Sequence, residues 1–474
     1  MQNPLRSIPS VNELLERPEL KNLVDRVSHN VVVTEVRGFL ERLREDVQST
    51  ASEMNIPTPG ELAERIADWI VKGEELPLRP VINATGILLH TGLGRAPLAK
   101  EAVQAMADVA EYASVELDLA TGERSQRVAA VEKLLKELTG AEAAAVVNNN
   151  AAATLLTLAA LGCDKEVIVS RGQLIEIGGS YRLPDVMSAS GTQLREVGTT
   201  NKTRIGDFEA AISEETAALM RVHTSNFKVV GFTEEPTLAE LVALGRKQNL
   251  PVIDDIGSGA LIDFGKYGIH DEPIASVSIK SGADLVLFSG DKLVGGPQCG
   301  IIVGKKSLVQ KIAKHPMMRA MRVDKLILAA LAATLRLYRD VTVAEESLPL
   351  LARLSAPVEN LRNRAERLAP QLAATAVIKQ AEAIEGNTYL GGGSVPTQQI
   401  PTWCVALTPE ELNVDDLSKR LRMGSPSVVG RIQQDRLLLD LRSVLPHQDG
   451  VIVEAVSRLE MGPGQSSPDS PPNR

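Results

Sequence analysis

Residues 283–306 read ADLVLFSGDKLVGGPQCGIIVGKK, and the fold turns on how this stretch is read. The apolar run Leu285 to Phe288 has the length and residue types of a buried strand. It stops at Ser289-Gly290, and a second apolar run, Cys299 to Val303, begins after Gly295-Gly296-Pro297. Lys292 lies between the two. A lysine on a glycine-rich turn beside a buried strand end loses water, which disfavours its charged form and lowers its pKa. Such an amine is prepared to form a Schiff base with an aldehyde cofactor. A solvated lysine in a hairpin turn fits the same letters, so the flanking chain must decide.

Working outward, short apolar runs end repeatedly in polar turns. Pro251 to Asp255 runs into Ile256-Gly257-Ser258-Gly259, and Met220 to His223 into Thr224-Ser225-Asn226. Val167 to Val169 runs into Ser170-Arg171-Gly172, and Ala143 to Val147 into Asn148-Asn149-Asn150 ahead of the helix-forming Ala151 to Ala160. Buried strands alternating with helical stretches predict a mostly parallel α/β sheet. Ligands bind at the C-terminal ends of the strands in such sheets.

Asp255 is placed at one of those ends, with Asp254 as the neighbour that could be taken for it. A carboxylate paired to a pyridine nitrogen keeps the ring protonated and able to accept electrons from a substrate carbanion. The interval from Asp255 to Lys292 allows one strand–helix–strand return to the same edge. An acid and a lysine so placed are what pyridoxal 5′-phosphate (PLP) requires. The turn Asn148 to Asn150, a strand end running into a helix start, is either a phosphate cradle or a plain junction with an asparagine cap. Gly92-Leu93-Gly94 lacks the third glycine of a dinucleotide loop. It either presents His90 and Arg95 to a cleft or is a tight turn with a solvated arginine. After the lysine turn comes a basic run from Lys305 to Lys325. Its Arg319 and Arg322, three apart, would share a helix face and grip an oxyanion, or else lie on a solvated surface.

The remaining chain sets the organisation. At 474 residues it is too long for one core. A domain of residues 1–75 reads as helical, with capping patterns at Ser10 to Glu13 and Thr58 to Glu61. Apolar stripes run through Val36, Leu40, Leu43, Val47 and through Leu62, Ile66, Trp69, Ile70. Residues 76–340 form the large α/β domain, 341–461 a small α+β domain, and 462–474 a tail expected to be disordered. Net charge is −9, which argues against a surface coated for indiscriminate nucleic-acid binding such as DNA. No apolar run reaches the roughly 18–20 residues of a membrane span. Cys163, Cys299 and Cys404 show no metal-ligand or paired spacing, so reduced thiols and a cytoplasmic location are expected.

The motifs RPVINATGILLHTGLGRAPL, GERSQR, IGGSYRLPDVM, RVHTSNF, DIGSG, SGDKLVGGPQCGIIVGKK and HPMMRAMRVDKL, in this order, resemble bacterial selenocysteine synthases (L-seryl-tRNA(Sec) selenium transferases). The resemblance implies the PLP-dependent aspartate-aminotransferase fold (fold type I) and a cytoplasmic homodecamer. It implies conversion of seryl-tRNA(Sec) to selenocysteinyl-tRNA(Sec) with selenophosphate, through a PLP-bound aminoacrylyl-tRNA. Lys292 would then carry PLP, with Asp291 assisting and Arg95, Arg319 and Arg322 holding the donor's phosphate group. Asn148, Asn149, Asn150 and Ser289 would face the cofactor's phosphate, and Asn226 its 3-oxygen. The N-terminal domain would dock the tRNA, although residues 1–75 hold nine basic against fourteen acidic side chains. The alternative is a small-molecule PLP lyase or aldolase on an amino-sugar acid, without tRNA.

Overall fold

A computed structural model describes residues 8–49, 57–74, 78–179, 181–391 and 394–459. The chain divides into two units, Met1–Pro80 and Val81–Arg474. The tail proposed from residue 462 lies outside the described residues.

The N-terminal unit contains the helices Val11–Leu15, Pro18–Val24, His29–Ser49 and Pro59–Glu74. Both capping patterns close as hydrogen bonds: Ser10 Oγ accepts from Glu13 N, and Thr58 and Glu61 bond reciprocally. Val36, Leu40, Leu62, Ile66 and Ile70 are buried together with Leu14 and Leu20. Trp69 departs from the expected stripe and is 39% exposed. Its indole N–H donates to Glu35, the Arg42 guanidinium stacks on its ring and Phe39 meets it edge to face, so it sits at the margin of the core with polar partners on its outer side.

In the second unit the larger sheet has seven strands. Their order is Ala143–Val147, Gly300–Gly304, Leu285–Ser289, Val252–Gly257, Thr216–Val222, Glu166–Ser170 and Gln193–Val197. All neighbours pair in parallel except Gly300–Gly304, which runs antiparallel to both strands beside it. Six of the seven strands are buried along most of their length, as continuous Val/Ile/Leu/Ala runs require when helices cover both faces. Phe288, Val286 and Ile301 pack on one side and Leu285, Leu287 and Ile302 on the other, so each face has its own apolar cluster.

The smaller sheet runs Val81–Ala84, Ser427–Gln433, Arg436–Asp440, Ser394–Pro409 and Ile378–Gly391. Its first strand therefore comes from the segment just ahead of the large sheet. Buried Asp440 accepts from Thr388, Thr402 and Arg431, and Arg431 also donates to the Thr85 carbonyl. Leu88 and Leu89 bond to the Tyr389 and Leu390 carbonyls. These bonds fix the course of the chain into the His90–Arg95 turn.

Candidate active site

The site assembles at the C-terminal ends of the central strands. Lys292 sits in the turn after Leu285–Ser289, and that turn is held closed by its own backbone. Gly290 N–H donates to Cys299 O, Gly296 N–H to Gly290 O and Leu293 N–H to Ser258 O. A Cβ at position 290 would stand 2.4 Å from the Cys299 sulfur and 2.8 Å from the Pro297 carbonyl, so only glycine fits. Lys292 is 4% exposed. Burial lowers its pKa first and the Arg95 guanidinium lowers it further, while Asp291, Asp255 and Glu272 pull the other way.

Asp255 lies one strand over, its Cα in register with Leu287 of the lysine strand. Its carboxylate accepts from Asn150 Nδ2 at 2.9 Å, Thr154 Oγ1 at 2.9 Å and Gly257 N at 3.1 Å. The three donors are neutral, and burial raises the pKa of Asp255 against them. Asp254 points to the opposite face, as alternate strand residues must, and pairs with Arg221 at 3.0 Å.

Lys292 and Asp255 line one cavity of about 250 Å³ with Arg95, Asn149, Asn150, Tyr181, His223, Ser225 and Ser289. Asn149 caps the helix Asn150–Gly162 by accepting from Ala152 N at 2.9 Å. Asn148 is exposed, donates its backbone N–H to Met321 O, and is not among the lining residues. Asn226 is absent from the lining too: its amide donates to the Glu176 carbonyl at 2.7 Å. Arg95, in the left-handed region at φ 61°, reaches Asp291 Oδ2 at 2.7 Å, so these two side chains arrive as an ion pair.

Arg319 and Arg322 line a different depression, with Glu116, Arg127, Lys314 and His315. They do not share a helix face. The helix Met317–Met321 ends between them, and Arg322 is extended where it bridges to Val147. Glu116 gathers Arg124, Arg127 and Arg322.

Several residues in the cavity wall, or behind it against Asp255, carry no mark in the sequence. Thr154 follows Asn150 by one helical turn, a spacing that marks a shared face. Tyr181, on the short strand Tyr181–Arg182, has its phenol pushed well above the ordinary range by burial and then by Asp255. His223 stands at the end of its strand, and no periodic signal marked it as lining the site.

The family profile described as L-seryl-tRNA selenium transferase matches residues 81–445, and the one described as selenocysteine synthase N terminal matches residues 5–44. The chain belongs to the L-seryl-tRNA selenium transferase family. The L-seryl-tRNA(Sec) selenium transferase of Moorella thermoacetica is 48% identical over 457 residues, 96% of this chain and 97% of that one. That of Hyphomonas neptunium is 46% identical over 466 residues, 97% of this chain and all (100%) of its own. Among solved structures, a D-glucosaminate-6-phosphate ammonia-lyase superposes with a TM-score of 0.57 at 23% identity, over 81% of this chain and 96% of that one. The likeness is one of fold, fold type I of the PLP-dependent enzymes.

PLP is the cofactor of this selenium transferase family, and the residues present fit it. The buried carboxylate of Asp255, satisfied by neutral donors alone, suits a charged pyridine N–H. The first N–H groups of the helix opening at Asn150 lack intrahelical acceptors and suit a phosphate. Lys292 supplies the amine for the aldehyde.

Proposed function

We propose that this protein transfers selenium from selenophosphate to the seryl group of seryl-tRNA(Sec), giving selenocysteinyl-tRNA(Sec). One observation carries the reading: Lys292 and Asp255 share a cavity at the ends of adjacent strands, in a chain that matches its relatives along nearly its whole length. The match of the N-terminal region to its own family profile favours a tRNA substrate over a small amino-sugar acid.

Bound PLP supplies an electron sink for the carbanion that forms when Cα loses its proton. The chain's own groups do the rest. Asp255 keeps the ring nitrogen protonated. Lys292, biased toward its neutral form, takes the proton from Cα and later returns it. Asn149, Asn150 and Ser289 hold the cofactor's phosphate end. Arg95, steadied by Asp291, offers a guanidinium to the donor's phosphoryl oxygens, worth a few kcal/mol at most in such a role. Arg319 and Arg322 are assigned to the same anion in an assembled homo-oligomer. The N-terminal unit is assigned to the tRNA body, and the cytoplasm, where charged tRNA is used, is the expected location. Among the described residues no helix is long and apolar enough to cross a membrane.

The test is selenium transfer from selenophosphate to seryl-tRNA(Sec) and to a second seryl-tRNA, with borohydride used to fix PLP to the protein. Transfer to the first alone, with the label on Lys292 and lost in Lys292→Ala, is expected. Equal use of both tRNAs, or a label elsewhere, would sink the reading.

A further inference from the structure

One buried charge beside the cavity has no place in the scheme so far. Glu272 lies in the loop between the short turn Gly265–Tyr267 and the helix Ala275–Ser281. Its side chain is 3% exposed, and Oε1 stands 3.8 Å from His223 Nε2. Its other oxygen, Oε2, is buried without a hydrogen-bond partner. A carboxylate left in that state is costly, and such groups persist where their charge is used. His223 follows the strand Thr216–Val222, is tied by its backbone N–H to Asp255 O at 2.9 Å, and lines the cavity with Lys292.

The reaction proposed above leaves one proton unassigned. Removing the Cα proton places an electron pair that can form a Cα–Cβ double bond only if the Cβ–O bond breaks. Hydroxide is a poor leaving group, so the departing oxygen needs an acid. The other proton-bearing side chains of the cavity are committed. Lys292 takes the Cα proton, Asp255 is enclosed by three donors, and Arg95 is paired with Asp291. The Tyr181 phenol is made a weaker acid by burial and by Asp255. Histidine is the side-chain type suited to giving a proton near neutral pH, and a carboxylate beside it orients the ring and stabilises the imidazolium.

We propose that His223, oriented by the buried Glu272 carboxylate 3.8 Å from its Nε2, is the acid that protonates the departing β-hydroxyl. In this step the Cα proton goes to Lys292 and its electron pair forms the Cα–Cβ double bond. The Cβ–O pair stays on oxygen, which takes the His223 proton and departs as water. His223 regains a proton from solvent before the next turnover. His223 is catalytic in this assignment, and Glu272 is a positioning residue. The inference rests on the seryl-tRNA reading.

The test compares two leaving groups on the PLP-loaded full chain. Seryl-tRNA(Sec) needs an acid; β-chloroalanyl-tRNA(Sec) does not, because chloride departs unprotonated. Loss of the side-chain group is read as incorporation of an added thiol at Cβ. His223→Gln is expected to slow loss of the hydroxyl about 100-fold or more, and loss of chloride less than about tenfold. Glu272→Gln is expected to show the same pattern at smaller amplitude, and it carries the test alone should His223→Gln not fold. PLP fixed to Lys292 by borohydride is expected to match wild type in both variants. Equal slowing on both substrates, no slowing, or loss of PLP would overturn the assignment, the last by making His223 a cofactor-holding residue. Wild-type protein inert toward seryl-tRNA(Sec) would defeat the underlying function, a result distinct from any of these.

Discussion

Two ionisable groups of opposite kind are buried in one cavity, and each is driven toward its neutral form. Burial raises the pKa of Asp255, so its contribution to stability is full below the ordinary carboxylate value of about 3.9 and is lost as pH rises through the folded value. Burial, then Arg95, lowers the pKa of Lys292, so its contribution is full above the ordinary lysine value of about 10.4 and is lost as pH falls through the folded value. In PLP-free protein near neutral pH the carboxylate is therefore a net cost. Asp255→Asn is expected to raise the melting temperature there, with the gain shrinking as pH falls toward about 4. Selenium transfer should fall by roughly 100-fold or more in the same variant, because the ring loses its counter-charge. Thermal melts of PLP-free protein across this range check the first part. A variant less stable at every pH would mean that the bonds from Asn150, Thr154 and Gly257 outweigh the desolvation of the charge.

At the scale of elements, the site depends on a close approach between the strand Gly300–Gly304 and the helix that opens at Asn150. Gly300 pairs with Val147 on one side and Ser289 on the other. A Cβ there would stand 2.1 Å from the Asn149 carbonyl oxygen and 2.9 Å from Asn150 N. The obstruction is backbone, which cannot swing aside. Gly300→Ala is expected to cost about 1–3 kcal/mol of stability and to weaken PLP binding as the helix start shifts. Asn149→Ala leaves the helix start in place but removes the cap and one side chain assigned to the cofactor's phosphate end, and should cost about 1 kcal/mol of stability. PLP titrations beside thermal melts separate the two, and an unchanged PLP affinity in Gly300→Ala would count against the cradle. These elements were legible because buried strands of Val, Ile and Leu end at polar turns, and that pattern placed Asp255 and Lys292 on one edge. Partnerships between distant segments were not legible. Nothing local reveals that Asn150 bonds Asp255, 105 residues away. Asn226 turns to the Glu176 carbonyl, and Glu272 lies in a loop with no periodicity to mark its burial. The three-residue spacing of Arg319 and Arg322 implied a common helical face, yet the helix stops at Met321.

For the molecule as a whole, the two units have separate cores. The N-terminal helices bury their own apolar cluster, and the described residues lining the Lys292 cavity all belong to the second unit. Removing the N-terminal unit should therefore leave the cofactor site intact. The cut belongs between Pro80 and Val81, because Val81–Ala84 is a strand of the smaller sheet in register with Ser427 to Gly430. A cut a few residues later would strip that sheet of an edge and loosen the turn that carries Arg95. The truncated protein is expected to bind PLP on Lys292 as the full chain does and to lose its preference for seryl-tRNA(Sec) over another seryl-tRNA. In the full chain that preference should weaken as salt rises only as far as phosphate contacts contribute, and an acidic unit recognising shape through a few arginines predicts a shallow slope. Filter binding of both tRNAs to both proteins over a salt series checks this. Retained preference after truncation would move tRNA recognition to the second unit.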